Sequence, residues 1–266
     1  MSRLHTAAAR LAALAPALLA LALPAGAGAA TSGQVKVSFK PDKLGAPTTV
    51  YVEVTFADSL GGVPSPPRVA TVHLPKGFII KPEGVTTCSE ATLLAKGVAG
   101  CPNTSLAGEG KARLEAPIGG TLIEEDASVT PFLGSVAPGK IVLYLYGDGR
   151  TPINQQLVLT ATVTGSSANG QLFTLPVPEI PTLPGAPAAS VTKFSLTIGI
   201  QKVLAIHPGN RYYRVVKVHG RRKRVRFVPF GVGVPKKCPT GGFSFQSTFT
   251  FADASSNEAS AKAPCP

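Results

Sequence analysis

Phe243, Phe245, Phe249 and Phe251 stand at every second position but one, with Ser247 completing the row. A period of two puts all five side chains on one face of an extended strand, and four phenylalanines on one face demand an apolar layer to cover them. A chain carrying this stripe has to build a sheet and bury one side of it. The same period recurs along the sequence. Val35, Val37 and Phe39 alternate with Lys36, Ser38 and Lys40, and Val50, Val52, Val54 and Phe56 with Tyr51, Glu53 and Thr55. Further strands are predicted over 68–74, 105–114, 121–132, 141–146 and 157–163, and from Phe194 through Leu196 and Ile198 to Ile200. Pro138-Gly139, Gly147-Asp148-Gly149 and Asn169-Gly170 punctuate them, and with 28 Gly and 25 Pro the chain is rich in turns and poor in helix. The expected fold class is all-β, an antiparallel β-sandwich, Ig-like or jelly-roll-like, as two lobes or one large sandwich.

Pro176, Pro178, Pro181, Pro184 and Pro187 favour an extended crossing and exclude a central strand. The boundary is placed there: an N-terminal sandwich over 30–175, a Pro-rich crossing over 176–189 and a C-terminal lobe over 190–266. Residues 1–29 read as a secretory signal peptide. Arg3 and Arg10 precede an apolar run from Leu11 to Leu23, too short to span a bilayer, and Ala25-Gly26-Ala27 and Ala27-Gly28-Ala29 suit a signal peptidase. No later stretch reads as a transmembrane anchor, so a secreted or envelope-associated product is expected.

All four cysteines lie beyond the leader. An even count in an exported chain implies two disulfides, for which three connectivities exist. Sequential pairing, Cys88 with Cys101 and Cys238 with Cys265, closes the shortest loops and is the expected one. Zinc binding would need closer cysteine pairs. Between the first two cysteines, Ser89 to Lys96 suits a short helix with Ser89 as its cap. This cross-linked loop, within the stretch from His73 to Gly110, is the element around which the strands are expected to gather.

Leu74-Pro75-Lys76-Gly77-Phe78, Cys88, Cys101-Pro102, Ser105, Gly108 and Gly110, followed far downstream by Cys238 and Cys265, resemble a group of exported β-sandwich proteins of high-GC Gram-positive bacteria that have no assigned activity. The resemblance runs from about residue 70 to the C-terminus. It implies secretion and a disulfide-stapled sandwich, and it supplies no catalytic residue.

Motifs for catalysis are missing from the sequence. Beyond the leader there are three histidines, His73, His207 and His219, none beside a nucleophile motif or a metal-binding pattern. Glu124-Glu125-Asp126 is the one acidic cluster. Consecutive strand residues alternate faces, so at most two of the three share a side, too few for calcium, and the cluster reads as a solvated strand end. No catalytic residue, cofactor or metal site is expected, and the protein is expected not to be an enzyme.

Charge is the exception to this blandness. The 26 Lys and Arg against 14 Asp and Glu give +12, and eight of the 24 cations beyond the leader fall in 211–226, with none of the acids. Without those eight the chain is nearly neutral. A type II′ turn at Gly220-Arg221 would pair Lys217 with Arg224 and His219 with Arg222. Val216, Val218, Val225 and Phe227 would then face the core, leaving Lys217, His219, Arg222, Arg224 and Arg226 as an outward basic comb. Basic side chains on an exposed hairpin discourage edge pairing. They also form an anion-binding surface, for which an anionic cell-wall polymer or acidic polysaccharide is the expected partner. Nucleic acid is a poor fit, because adjacent Tyr212 and Tyr213 point to opposite faces and leave at most one to stack on a base. A structural or adhesive module that binds another protein is the alternative, and a secreted hydrolase a third reading.

Overall fold

The computed structural model describes residues 30–266, so the signal-peptide reading over 1–29 lies outside the described residues. Among these residues, fifteen strands, two short α-helices and two single-turn 3-10 helices follow one another. The first four strands are β1 (Thr31–Lys40), β2 (Pro47–Asp58), β3 (Pro67–Leu74) and β4 (Ile79–Lys81). Helix α1 (Glu90–Lys96) comes next, then β5 (Gly108–Ile118), β6 (Thr121–Ala137), β7 (Lys140–Asp148), β8 (Gln156–Ser166) and β9 (Gly170–Pro176). Beyond them lie β10 (Ser190–Ile198), α2 (Ile200–Ile206), the hairpin β11 (Tyr212–Val218) and β12 (Arg221–Phe227), β13 (Gly231–Gly233), β14 (Phe243–Phe251) and β15 (Ser256–Ala263).

The all-β antiparallel sandwich is present, and its layers belong to one sheet. Strands β5 to β9 form a meander of successive hairpins. The path continues through β3, β14 and β15 on one side and through β10 and β2 on the other, with β1 on β2. The sheet curls until β1 lies along β15, where the Gly33 N–H donates to Asn257 Oδ1 at 2.8 Å. Eleven strands thus ring a common interior.

The strand pairing runs across the Pro-rich crossing, as in the arrangement with one large sandwich. β10, which follows it, inserts between β2 and β5, and β14 pairs with β3, so strands of the supposed C-terminal lobe complete the N-terminal sheet. The crossing carries the chain over one end of the interior, tied there by an isolated bridge between Ile180 and Ala189. Pro spacing reports an extended path and cannot distinguish a linker from a crossover.

The phenylalanine stripe is core as its period requires. Phe243, Phe245, Phe249 and Phe251 are buried against Phe39, Phe56 and Phe78, with Phe56 meeting Phe249 edge to face at 5.0 Å. Both disulfides form sequentially, Cys88 to Cys101 and Cys238 to Cys265, and there is no free cysteine among the described residues. Ser89 caps α1, its Oγ accepting from the Thr92 N–H at 3.1 Å. The chain thereby folds the cross-linked loop against the outer face of the meander, where Cys88, Leu93 and Cys101 bury with Phe132 and Tyr146.

Candidate functional site

The basic segment forms a two-stranded sheet of its own. Its register differs by two residues from the one the II′ turn implies. Lys217 faces Arg222, Val215 faces Arg224 and Tyr213 faces Arg226, with His219-Gly220 as the turn. Both turn residues have positive φ, 48° at His219 and 76° at Gly220, which is the type I′ arrangement that matches strand twist. Histidine enters that region more readily than most side chains. A shift of two preserves the faces, so Lys217, Arg222, Arg224 and Arg226 still share a side while His219 leaves the comb for the turn. Only one pair of like charges, Lys217 and Arg222, is now directly opposed; Val215 and Tyr213 face the other arginines, which lowers the cross-strand repulsion.

The opposite face was expected to bury Val216, Val218, Val225 and Phe227. Val218 is exposed and the other three are half-buried. The hairpin is held at its base. Tyr212 is buried, the Phe227 ring occupies the space above Gly84 that a Cβ would fill, and Asn210 Nδ2 donates to the Asn103 carbonyl at 2.9 Å. Toward the tip the strands stand away from the sandwich. Arg224 lies over the Tyr213 ring at 4.1 Å and Arg214 over Phe227 at 5.1 Å, each fixing part of a long side chain without neutralising it. Among the described residues, no ion pair involves a cation of this hairpin. Successive groups on one strand face, Arg222, Arg224 and Arg226, are spaced by about 6.8 Å.

A second site lies inside the curled sheet. Inward positions from nearly every strand, among them Val54, Val72, Ala112, Val129, Leu143 and Leu175, line a cavity of ≈ 260 Å³. Its walls run along β2 from Val50 to Phe56, six steps or about 20 Å. Apart from Gln155, its lining side chains are apolar except for one carboxyl, Glu125.

Glu125 corrects the reading of the acidic cluster as a solvated strand end. Alternation sends Glu124 and Asp126 outward, where both pair with Arg113, and Glu125 inward, where it is 2 % exposed. Arg113 holds the Asp126 carboxyl below its ordinary pKa by a hydrogen bond and by its charge. Glu125 Oε2 accepts the Ile153 N–H at 2.6 Å, while Oε1 is buried with no hydrogen-bond partner among the described residues. The 149–155 loop, closed by the Gly149 N–H donating to the Gln155 backbone carbonyl at 2.9 Å, folds over it. A Cβ on Gly149 would collide with Oε1, so glycine there makes room for the carboxyl. The sequence signal for this site was the phase of β6: Glu125, Ala127 and Val129 alternate with Asp126 and Ser128, which puts Glu125 on the apolar side.

The three histidines are not brought together: His73 sits on β3, His207 ends α2 and His219 is in the hairpin turn. No group of three or more His, Cys, Asp or Glu arranged to hold a metal occurs among the described residues. Comparison of the chain with protein-family models, with curated proteins and with solved structures finds no match. Two disulfides belong to an oxidising compartment, and no helix among the described residues is long and apolar enough to cross a membrane.

Proposed function

We propose that this is an exported, non-catalytic envelope or surface-associated protein that holds an anionic polymer on its basic hairpin, as a secreted member of the group it resembles. The observation that carries the reading is the comb itself. Lys217, Arg222, Arg224 and Arg226 share one face of a hairpin held at its base, and no acid among the described residues pairs with them. Unpaired cations at strand spacing raise the local concentration of a polyanion and release its counterions on contact. A cell-wall phosphate polymer or an acidic polysaccharide is the partner this chemistry fits.

Binding of wild type and of the fourfold Lys217, Arg222, Arg224, Arg226 to Ala variant is measured against wall polymer, acidic polysaccharide and DNA at several salt concentrations. Log affinity should fall linearly with log salt, and on DNA each lost contact should lower the slope by about 0.7 to 0.9. Equal binding by both proteins, or none at physiological salt, removes the hairpin as the contact surface. A second reading, a protein partner, is favoured by Val215, which is 61 % exposed on the same face beside Tyr213. Contact with such a partner would persist at high salt and be lost on Val215→Ser.

A further inference from the structure

We propose that the partner held by the hairpin is a phosphodiester polymer whose phosphates are joined through three-carbon units, met by the comb one phosphate to one arginine. This rests on the hairpin reading and narrows its partner to one charge spacing. Three observations carry it. Arg222, Arg224 and Arg226 project from the same face of β12, each two residues and about 6.8 Å from the next. Lys217 lies directly opposite Arg222, their Cβ atoms about 5 Å apart, so two cations meet the anionic group nearest the turn. All four side chains are exposed, and no acid among the described residues pairs with them.

This spacing selects a repeat. An extended polypeptide advances about 3.3–3.6 Å for the three backbone bonds of one residue, so six bonds span about 6.6–7.2 Å. A phosphodiester of a three-carbon diol also has six bonds from one phosphorus to the next: two P–O, two C–O and two C–C. Drawn out along β12, such a polymer keeps step with the row over three phosphates. Arginine suits each of them, because its planar fork donates two parallel N–H bonds to the oxygens of one phosphate. Nucleic acid shares the six-bond repeat and would add base stacking. Arg224 already lies over the Tyr213 ring at 4.1 Å, however, and closes that ring face to a base. Arg221 and Lys223, exposed on the reverse face of the strand, add charge but stand outside the row.

The test uses the oxidised protein and oligomers of 1,3-propanediol phosphate carrying one to six phosphates, with binding read by calorimetry at fixed salt. Affinity should rise by roughly tenfold per phosphate up to three, and by no more than about twofold per phosphate beyond. Oligomers of 1,6-hexanediol phosphate have nine bonds per repeat, about 10–11 Å, which matches neither one step of the row nor two. At equal phosphate number they should bind at least about tenfold more weakly. Oligothymidylate of equal charge should bind no tighter than the propanediol oligomer.

Two double variants separate spacing from charge. Arg222→Ala with Arg224→Ala should abolish the preference for the three-carbon repeat. Arg221→Ala with Lys223→Ala removes the same charge from the reverse face and should keep it, with far-UV spectra unchanged in both. Equal affinity of wild type for the two diol series overturns the proposal and leaves the hairpin reading standing, since charge density alone then accounts for binding. Loss of the preference in both double variants does the same, and tighter binding of oligothymidylate overturns it in favour of base contacts. Full binding by the fourfold Lys217, Arg222, Arg224, Arg226 to Ala variant removes the hairpin reading and the proposal together. The wild-type comparison of the two diols needs no variant and decides the matter if either double variant fails to fold.

Discussion

Replacing Gly33 with Ala tests whether the sheet closes on itself as described. Gly33 sits in β1 opposite Phe56, and its φ is not in the left-handed region, so the backbone accepts alanine. The added Cβ would lie 2.7 Å and 2.9 Å from two atoms of the Phe249 ring on β14 and 3.1 Å from Phe56. Neither ring can retreat, because Phe249 is 1 % exposed and the two meet edge to face. Overpacking of this kind costs about 1–3 kcal/mol, offset by about 0.4–1 kcal/mol from the stiffer unfolded chain. Gly33→Ala should therefore lose ~1–2 kcal/mol in urea unfolding of the oxidised protein. Phe249→Leu alone gives up the edge-to-face pair, about 0.5–1.5 kcal/mol, and part of the ring's burial. Combined with Gly33→Ala it vacates the space the new methyl needs, so the double variant should be more stable than the sum of the singles by about 1 kcal/mol. Strict additivity, or a neutral Gly33→Ala, would mean that β1 does not pack across onto β14 and that the interior is open on that side.

Peptide mapping without reduction should recover Cys88 joined to Cys101 and Cys238 to Cys265, and replacing each pair should cost roughly 3 and 3.5 kcal/mol from loop lengths of 13 and 27 residues. A crossed pair in the mapping would contradict the fold. Glu53, held below its ordinary pKa by its hydrogen bond to Lys193 and by the nearby Lys36, stabilises the fold above the usual carboxylate pKa of about 4 and loses that contribution as pH falls through its lower folded value. Unfolding midpoints should be flat from pH 5 to 8 and decline below about pH 4, and Glu53→Gln should shallow the decline. Tyr212 is buried with its hydroxyl beside the Asn210 side chain, so Tyr212→Phe, which keeps the ring, should change stability by no more than about 1 kcal/mol, whereas Tyr212→Ala should cost about 3 kcal/mol and speed tryptic cleavage at the hairpin arginines.

The strands were legible because burial on one side writes a period of two into the sequence, and the phenylalanines of β14 wrote it most clearly. Disulfide pairing was legible too, since short loops leave little choice once the strands are set. The strand order was not. Nothing local in Phe194 to Ile198 says that β10 will lie between β2 and β5, because inward residues of any strand meet the same apolar interior. The hairpin register turned on the choice between Gly220 as the first or second residue of the turn, which depends on whether His219 tolerates positive φ. Glu125 was hidden by its neighbours: three acids in a row look like a solvated cluster unless the phase of the strand is carried through them.

The cavity bears on stability. At about 24 cal/mol per Å³, a cavity of ≈ 260 Å³ corresponds to roughly 6 kcal/mol of lost packing, comparable with the whole net stability of an ordinary domain. The two disulfides contribute about 6.5 kcal/mol together in the loop-closure description. Neither crosses the interior: one fastens the α1 loop to itself outside the meander and the other joins the chain before β14 to the chain after β15. Staples placed there offset the missing core without filling it. Larger inward side chains at Ala112, Ala127 or Gly147 would be the simpler route to the same stability. A larger inward side chain at Ala112 or Ala127 should therefore recover part of the roughly 6 kcal/mol as a rise in melting temperature, and a fall in melting temperature for both would mean that the interior is already packed there.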